Sequence, residues 1–110
     1  MRSVTVFIKP LSINQAFKGR RFKTPAYVAY EQELLLRLPN DVVIPEGKLK
    51  VRYSFGVSSR NADFDNVIKL FQDILQKKYG FNDRRIYEAE IVKEIVKKGE
   101  EFVAFKISSL

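Results

Sequence analysis

Apolar and polar residues follow one of two periods in successive stretches of the chain, and each period predicts an element. Val4, Val6 and Ile8 share one face of a strand over Ser3 to Lys9, which Pro10 closes. Leu11 to Lys23 is polar and basic without a period and reads as a long loop. Thr24 followed by Pro25 gives a hydroxyl cap and a proline at the first helical position. Tyr27, Tyr30, Leu34 and Leu38 then recur at helical spacing up to Pro39. Leu49, Val51, Tyr53, Phe55 and Val57 alternate with Lys48, Lys50, Arg52 and Ser54, which predicts a strand with a core face and a basic face. From Asp65 to Tyr79 the period is helical again, with Val67, Ile68, Leu70, Phe71, Ile74 and Leu75 on one broad face and Gly80 as the stop. Ile86 to Val96 and Phe102 to Ser108 alternate on either side of a Lys97 to Glu100 turn, which predicts a closing hairpin.

The order β-α-β-α-β-β predicts an α+β fold: a small mixed sheet of about four strands with two helices packed on one face. A ferredoxin-like arrangement is the near alternative. Without a repeat or a linker, residues 1–110 are expected to form one domain. Glu88, Glu90 and Glu94 alternate with Ile91 and Ile95 and are expected to line a solvated strand face.

Composition narrows the chemistry. The chain has no cysteine and no histidine, which excludes disulfides, thiolate or imidazole zinc sites, thiol nucleophiles and a Ser-His-Asp triad. Catalysis would have to use carboxylates, lysine and hard metals. The net charge is +7, and all of the surplus lies in residues 1–60, which carry eleven basic and four acidic side chains. Such a field suits a polyanion, nucleic acid before an anionic membrane, because cationic side chains displace the counterions of a phosphate backbone. No apolar run approaches a membrane span and no cleaved signal is evident, so a soluble cytoplasmic protein is expected.

The segment richest in chemistry runs from Arg60 through Asn61, Asp63, Phe64, Asp65 and Asn66 to Lys69. In extended chain Asp63 and Asp65 would point the same way, with the Phe64 ring between them anchored in the core. Two ionised carboxylates about 4 Å apart repel by about 4 kcal/mol at an effective dielectric of 20, so pairing them calls for a cation. Oxygen ligands alone select Mg²⁺, with Mn²⁺ as a substitute. The plainer alternative makes Asp65 a helix cap and Asp63 a solvated loop residue. On a helical wheel Lys69 lies about 40° from Asp65, with Gln72 and Gln76 within about 20° of it, so a polar stripe climbs from the carboxylates and Asp73 borders it.

Asp63, Asp65, Asn66 and Lys69, then an amphipathic helix ending at Gly80 and Phe81, then Asn82 and Asp83, resemble the RusA family of Holliday junction resolvases. The likeness is good over residues 60–86 and extends weakly to the first strand with Ser12 and Asn14 and to the end of the chain. It implies a metal-dependent endodeoxyribonuclease that resolves four-way junctions by paired symmetric nicks in DNA recombination and repair. It also implies a homodimer, catalytic roles for Asp63, Asp65, Asp83 and Lys69, and metal ligation by the three aspartates. A non-catalytic nucleic-acid-binding module, or a nuclease acting on other branched DNA or on RNA, are the alternatives.

A helix from Asp65 to Tyr79 would be about 21 Å long, and the four residues to Asp83 return at most about 14 Å. Asp83 is therefore expected to meet the Asp63 and Asp65 of the other subunit, unless the helix is interrupted. Lys18, Arg20, Arg21 and Lys23, with Phe17 and Phe22 among them, are expected to hold DNA phosphates. Arg60, Arg84 and Arg85 are further candidates for DNA contact.

Overall fold

The computed structural model describes residues 2–19 and 22–110. Strands β1 (Val4–Val6), β4 (Leu49–Val57), β5 (Ile86–Ile95) and β6 (Phe102–Ser109) form a mixed sheet in the order β1-β6-β4-β5. Helices α2 (Pro25–Arg37) and α3 (Ile68–Tyr79) pack on one of its faces. The expected α+β class, four-stranded sheet and one-sided helix layer are all present. Among the described residues, no helix is long and apolar enough to cross a membrane.

Strand β4 is the centre of the molecule. Its inward row, Leu49, Val51, Tyr53 and Phe55, is fully buried, while Lys50 and Arg52 on the other face are exposed. Phe71 of α3 docks on this row, with ring centroids 5.6 Å from both Tyr53 and Phe55 in edge-on geometry. Tyr27, Tyr30 and Leu34 of α2 enter the same core. Thr24 caps α2 by accepting the Tyr27 N–H at 3.3 Å, with Pro25 at the first helical position. Gly80 ends α3 at φ 70°, the left-handed conformation that glycine adopts without a Cβ clash.

Three expectations are corrected. The closing pair is not a hairpin: β5 runs parallel to β4 on one side and β6 antiparallel to it on the other. The connection between them steps over the end of β4, where the Val96 N–H donates to the Val57 carbonyl at 2.9 Å. Crossing one strand takes about 10 Å, well within the reach of six residues. Burial decides the order. Val103, Phe105 and Ile107 of β6 are buried and take the inner position, whereas β5 carries charges on both faces and is left at the edge.

Leu11 to Lys23 is not a structureless loop. It forms a one-turn helix α1 (Ile13–Ala16) and a two-stranded ribbon of β2 (Phe17–Lys18) and β3 (Phe22–Lys23). Thr24 closes this segment: its hydroxyl donates to the Gln15 carbonyl at 2.7 Å and its N–H to the Ala16 carbonyl at 2.8 Å. Buried Ala16 and the edge-on contact of Phe17 with Tyr27 fix it to α2. The third correction concerns α3, which begins at Ile68 after a 3₁₀ turn over Asp65–Val67 and is then unbroken to Tyr79.

The sheet face opposite the helices is polar at β4 and β5, where Lys50 pairs with Glu88 at 3.4 Å and Arg52 with Glu90 at 3.5 Å. Glu88 and Glu90 thus line the expected solvated strand face. Toward β1 this face turns apolar. Phe102 lies over Gly56, where a Cβ would collide with its ring, and meets Phe7 edge-on.

Candidate active site

The candidate site is built where β4 leaves the sheet and the chain turns into α3. After Val57 the backbone folds on itself, the Asn61 N–H donating to Ser59 Oγ at 3.2 Å and the Ala62 N–H to the Ser59 carbonyl at 3.3 Å. Lys93 of the neighbouring β5 clamps this turn by donating to the carbonyls of Arg60 at 3.2 Å and Ala62 at 2.8 Å. Sequence reading missed Lys93. Its signal was a lysine in the same alternating row as Ile91 and Ile95.

Asp63 and Asp65 are both exposed in this segment. The extended geometry expected between them is not kept, because Phe64 has helical dihedrals, φ −69° and ψ −32°. In that conformation residues two apart no longer share a face. The Asp63 Oδ2 accepts from Asn66 Nδ2 at 3.2 Å, and Asp65 opens the 3₁₀ turn, its carbonyl accepting the Ile68 N–H. Nor does the Phe64 ring anchor the turn: it is 54% exposed, and Val67 enters the core instead. Asp65 is not a side-chain cap. It lies within the first turn, where an acidic charge suits the positive end of the helix.

The polar stripe of α3 is present with partners of its own. Lys69 donates to Asp73 Oδ1 at 3.0 Å, Gln76 Nε2 reaches the same oxygen at 3.4 Å, and Gln72 Oε1 accepts the Tyr53 hydroxyl at 3.0 Å. Asp83 returns to this stripe after Gly80, its N–H donating to Gln76 Oε1 at 2.9 Å. Its carboxylate acts on two groups there. The Lys69 ammonium is held above its ordinary pKa, first by the hydrogen bond and charge of Asp73 and further by the charge of Asp83. The buried Tyr53 hydroxyl is pushed well up, mainly by desolvation and secondarily by Asp83. Sequence reading left Tyr53 as core and Asp73 at the margin, although Asp73 sits at i+4 from Lys69.

Asp83 thus returns by its backbone to the stripe that carries Lys69, whose own side chain is bonded to Asp73, and Asp65 lies one turn before Lys69. Among the described residues, no three acidic side chains converge on a point that could hold a metal ion. The donors present are oxygen-only and exposed, which suits a hard cation. Magnesium is commonly held by one or two carboxylates with substrate phosphates and water, so Asp63 and Asp65, set on different faces by the turn at Phe64, match that chemistry as separate ligands and not as a preformed pair.

The remaining candidates differ in their surroundings. Lys18 is exposed on the ribbon, whereas Lys23 is paired with Glu31 at 3.5 Å and lies over the Tyr27 ring at 4.9 Å. Arg20 and Arg21 lie outside the described residues. Arg60 and Arg84 are exposed. Arg85 is engaged, its guanidinium donating to the carbonyls of Gly47 and Pro45. No family model and no curated protein matches the chain.

Proposed function

We propose that the chain is a Mg²⁺- or Mn²⁺-dependent endodeoxyribonuclease of the RusA type that nicks four-way DNA junctions in pairs, as a homodimer in the cytoplasm. The observation that carries this reading is the placement of Lys69 on the exposed stripe of α3, one turn beyond Asp65, with the Asp83 backbone bonded to Gln76 of the same stripe. A phosphodiester there would meet acidic oxygens and an ammonium together, with no histidine required.

Asp63 and Asp65 would hold the ion, which when bound would supply Lewis acidity toward the phosphate and a more acidic water. Lys69 then offsets the charge that builds on the phosphoryl oxygens, a role its ammonium can fill at every pH below its raised pKa. Asp73 holds that ammonium on the stripe, and Asp83 serves the site in its own chain or that of the second subunit. Arg60, Arg84 and the basic ribbon hold the flanking phosphates.

The dispersed acids favour one second reading, a nucleic-acid-binding module that does not cleave. Incubating the protein with an immobile four-way junction and Mg²⁺, beside linear duplex, separates the two. Symmetric nicks confined to the junction are expected, abolished in Asp65→Asn while junction binding persists. Equal cleavage by Asp65→Asn and the parent would remove Asp65 from catalysis, and binding without nicks would leave the module.

A further inference from the structure

Beside Asp63 the surface opens into a cleft of about 350 Å³ between the segment after β1 and the turn after β4. Its apolar lining comes from Pro10, Val57 and Val67, all buried residues. Its polar edge carries three carboxamides, Gln15, Asn61 and Asn66, beside the hydroxyls of Ser12, Ser58 and Ser59. Asn66 is turned to Asp63, and Gln15 Oε1 accepts weakly from the Ser12 hydroxyl at 3.3 Å. The Gln15 Nε2 group and the Asn61 side-chain amide make no hydrogen bond among the described residues.

The shape and chemistry select a ligand class. A flat heterocycle presents apolar faces and an edge of donors and acceptors, and a carboxamide, with both a donor and an acceptor, is the side chain that pairs with such an edge. Charge selects against the alternative of a bare phosphate. The lining holds two carboxylates, Asp63 and Glu101, against the single ammonium of Lys9, so a neutral group is favoured over an anion. The volume is at the lower end of the range for small-molecule sites and is enough for one base.

We propose that this cleft seats a single unstacked nucleobase, read by Gln15 and Asn61, of the nucleotide next to the phosphate that lies at Asp63. The inference rests on the nuclease reading for the source of that base, a DNA strand opened at a branch point, and makes the cleft the origin of base preference at the cut. Gln15 and Asn61 are specificity residues in this scheme and take no part in the chemistry.

The test is amide chemical-shift mapping of the full chain in EDTA, so that no metal chemistry enters. One arm uses each of the four deoxynucleoside monophosphates and the other short single-stranded oligonucleotides of one base. Saturable shifts at Ser12, Gln15, Asn61 and Ala62 are expected in the oligonucleotide arm, strongest for one base. Gln15→Ala and Asn61→Ala should each weaken that binding by about tenfold, the loss expected for one amide contact to a base edge. Shifts confined to the ribbon around Lys18 and Lys23, no shifts at all, or cleft shifts with free monophosphates alone would overturn the inference. Junction cleavage read in parallel keeps the two readings apart. A protein that takes bases in the cleft and never cuts sinks the nuclease alone, whereas one that cuts with unchanged base preference after both substitutions sinks the cleft alone.

Discussion

Lys69 reaches forward along α3 to Asp73, at 3.0 Å, and not back to Asp65. Both side chains are substantially exposed, so the pair contributes only a few tenths of a kcal/mol, as i,i+4 ion pairs on helix surfaces do. Its larger effect is on the ammonium. Asp73→Asn should lower the Lys69 pKa toward its ordinary value, which a side-chain NMR titration would read directly. Because the folded pKa is raised, the small stabilisation is complete below the unfolded lysine value, about 10.4, and is lost as pH rises through the folded value. An unchanged Lys69 titration in Asp73→Asn would show that the contact is absent in solution.

Arg84 and Arg85 are neighbours with separable roles. Arg85 ties the turn before β4 to the turn after α3 through the carbonyls of Pro45 and Gly47. Charge-assisted bonds of this kind are worth roughly 1.5–3 kcal/mol, so Arg85→Ala should lower Tm by roughly 10 °C. Arg84 is exposed, and Arg84→Ala should change stability by less than about 0.5 kcal/mol. If Arg84 touches phosphate, the same variant should make the salt dependence of DNA binding shallower by about one counterion. Thermal melts and binding titrations at several salt concentrations check both.

The elements with a clean period were legible in the chain itself. Leu49–Val57 and the Gly80 stop stand where alternation and backbone chemistry put them, because one-sided burial and a left-handed cap are local requirements. The strand order was not legible, since alternation shows which face of Phe102–Ser109 is buried but not which neighbour it has. The short ribbon at Phe17 and Lys23 has too few residues for a period and depends on tertiary bonds from Thr24. At the site, Asp63, Asp65, Lys69 and Asp83 were identifiable as chemistry-bearing residues. Their mutual geometry was not, because it turns on the helical dihedrals of Phe64 and on Asp83 finding Gln76 across the end of α3.

Glu31 joins three elements and makes the fold acid-sensitive. It accepts from Lys77 of α3 at 2.8 Å and lies 3.5 Å from Lys23 of β3, with its own side chain only 16% exposed. The Lys77 hydrogen bond is the main reason its carboxyl titrates below the ordinary range, with the Lys23 and Lys77 charges adding to it against a desolvation penalty. A depressed folded pKa means stabilisation present above the unfolded value, about 4.3, and lost as pH falls through the folded one. Glu31→Gln should cost about 1 kcal/mol at neutral pH, and the difference from the parent should close at acid pH, once the carboxyl is protonated in the folded chain. Denaturant melts at both pH values would show it, and a pH-independent difference would mean that packing, not charge, is what Glu31 supplies.

The same ion pair sorts the cations of the ribbon. Lys23 already has Glu31 as a partner and Tyr27 beneath it, so moving it to a phosphate gives up contacts within the chain. Lys18 is exposed, and Arg20 and Arg21 follow it in sequence. In the DNA-binding reading these three should carry the electrostatic contact. Replacing them together by alanine should weaken junction binding and make the slope of log K against log salt shallower by up to about 2.7 on duplex arms, at about 0.9 for each phosphate contact. Lys23→Ala should instead lower stability modestly and leave the slope nearly unchanged. Binding isotherms at four or five salt concentrations distinguish the outcomes, and a triple variant with the parent's slope would move the phosphate contacts away from the ribbon, toward Arg60 and Arg84.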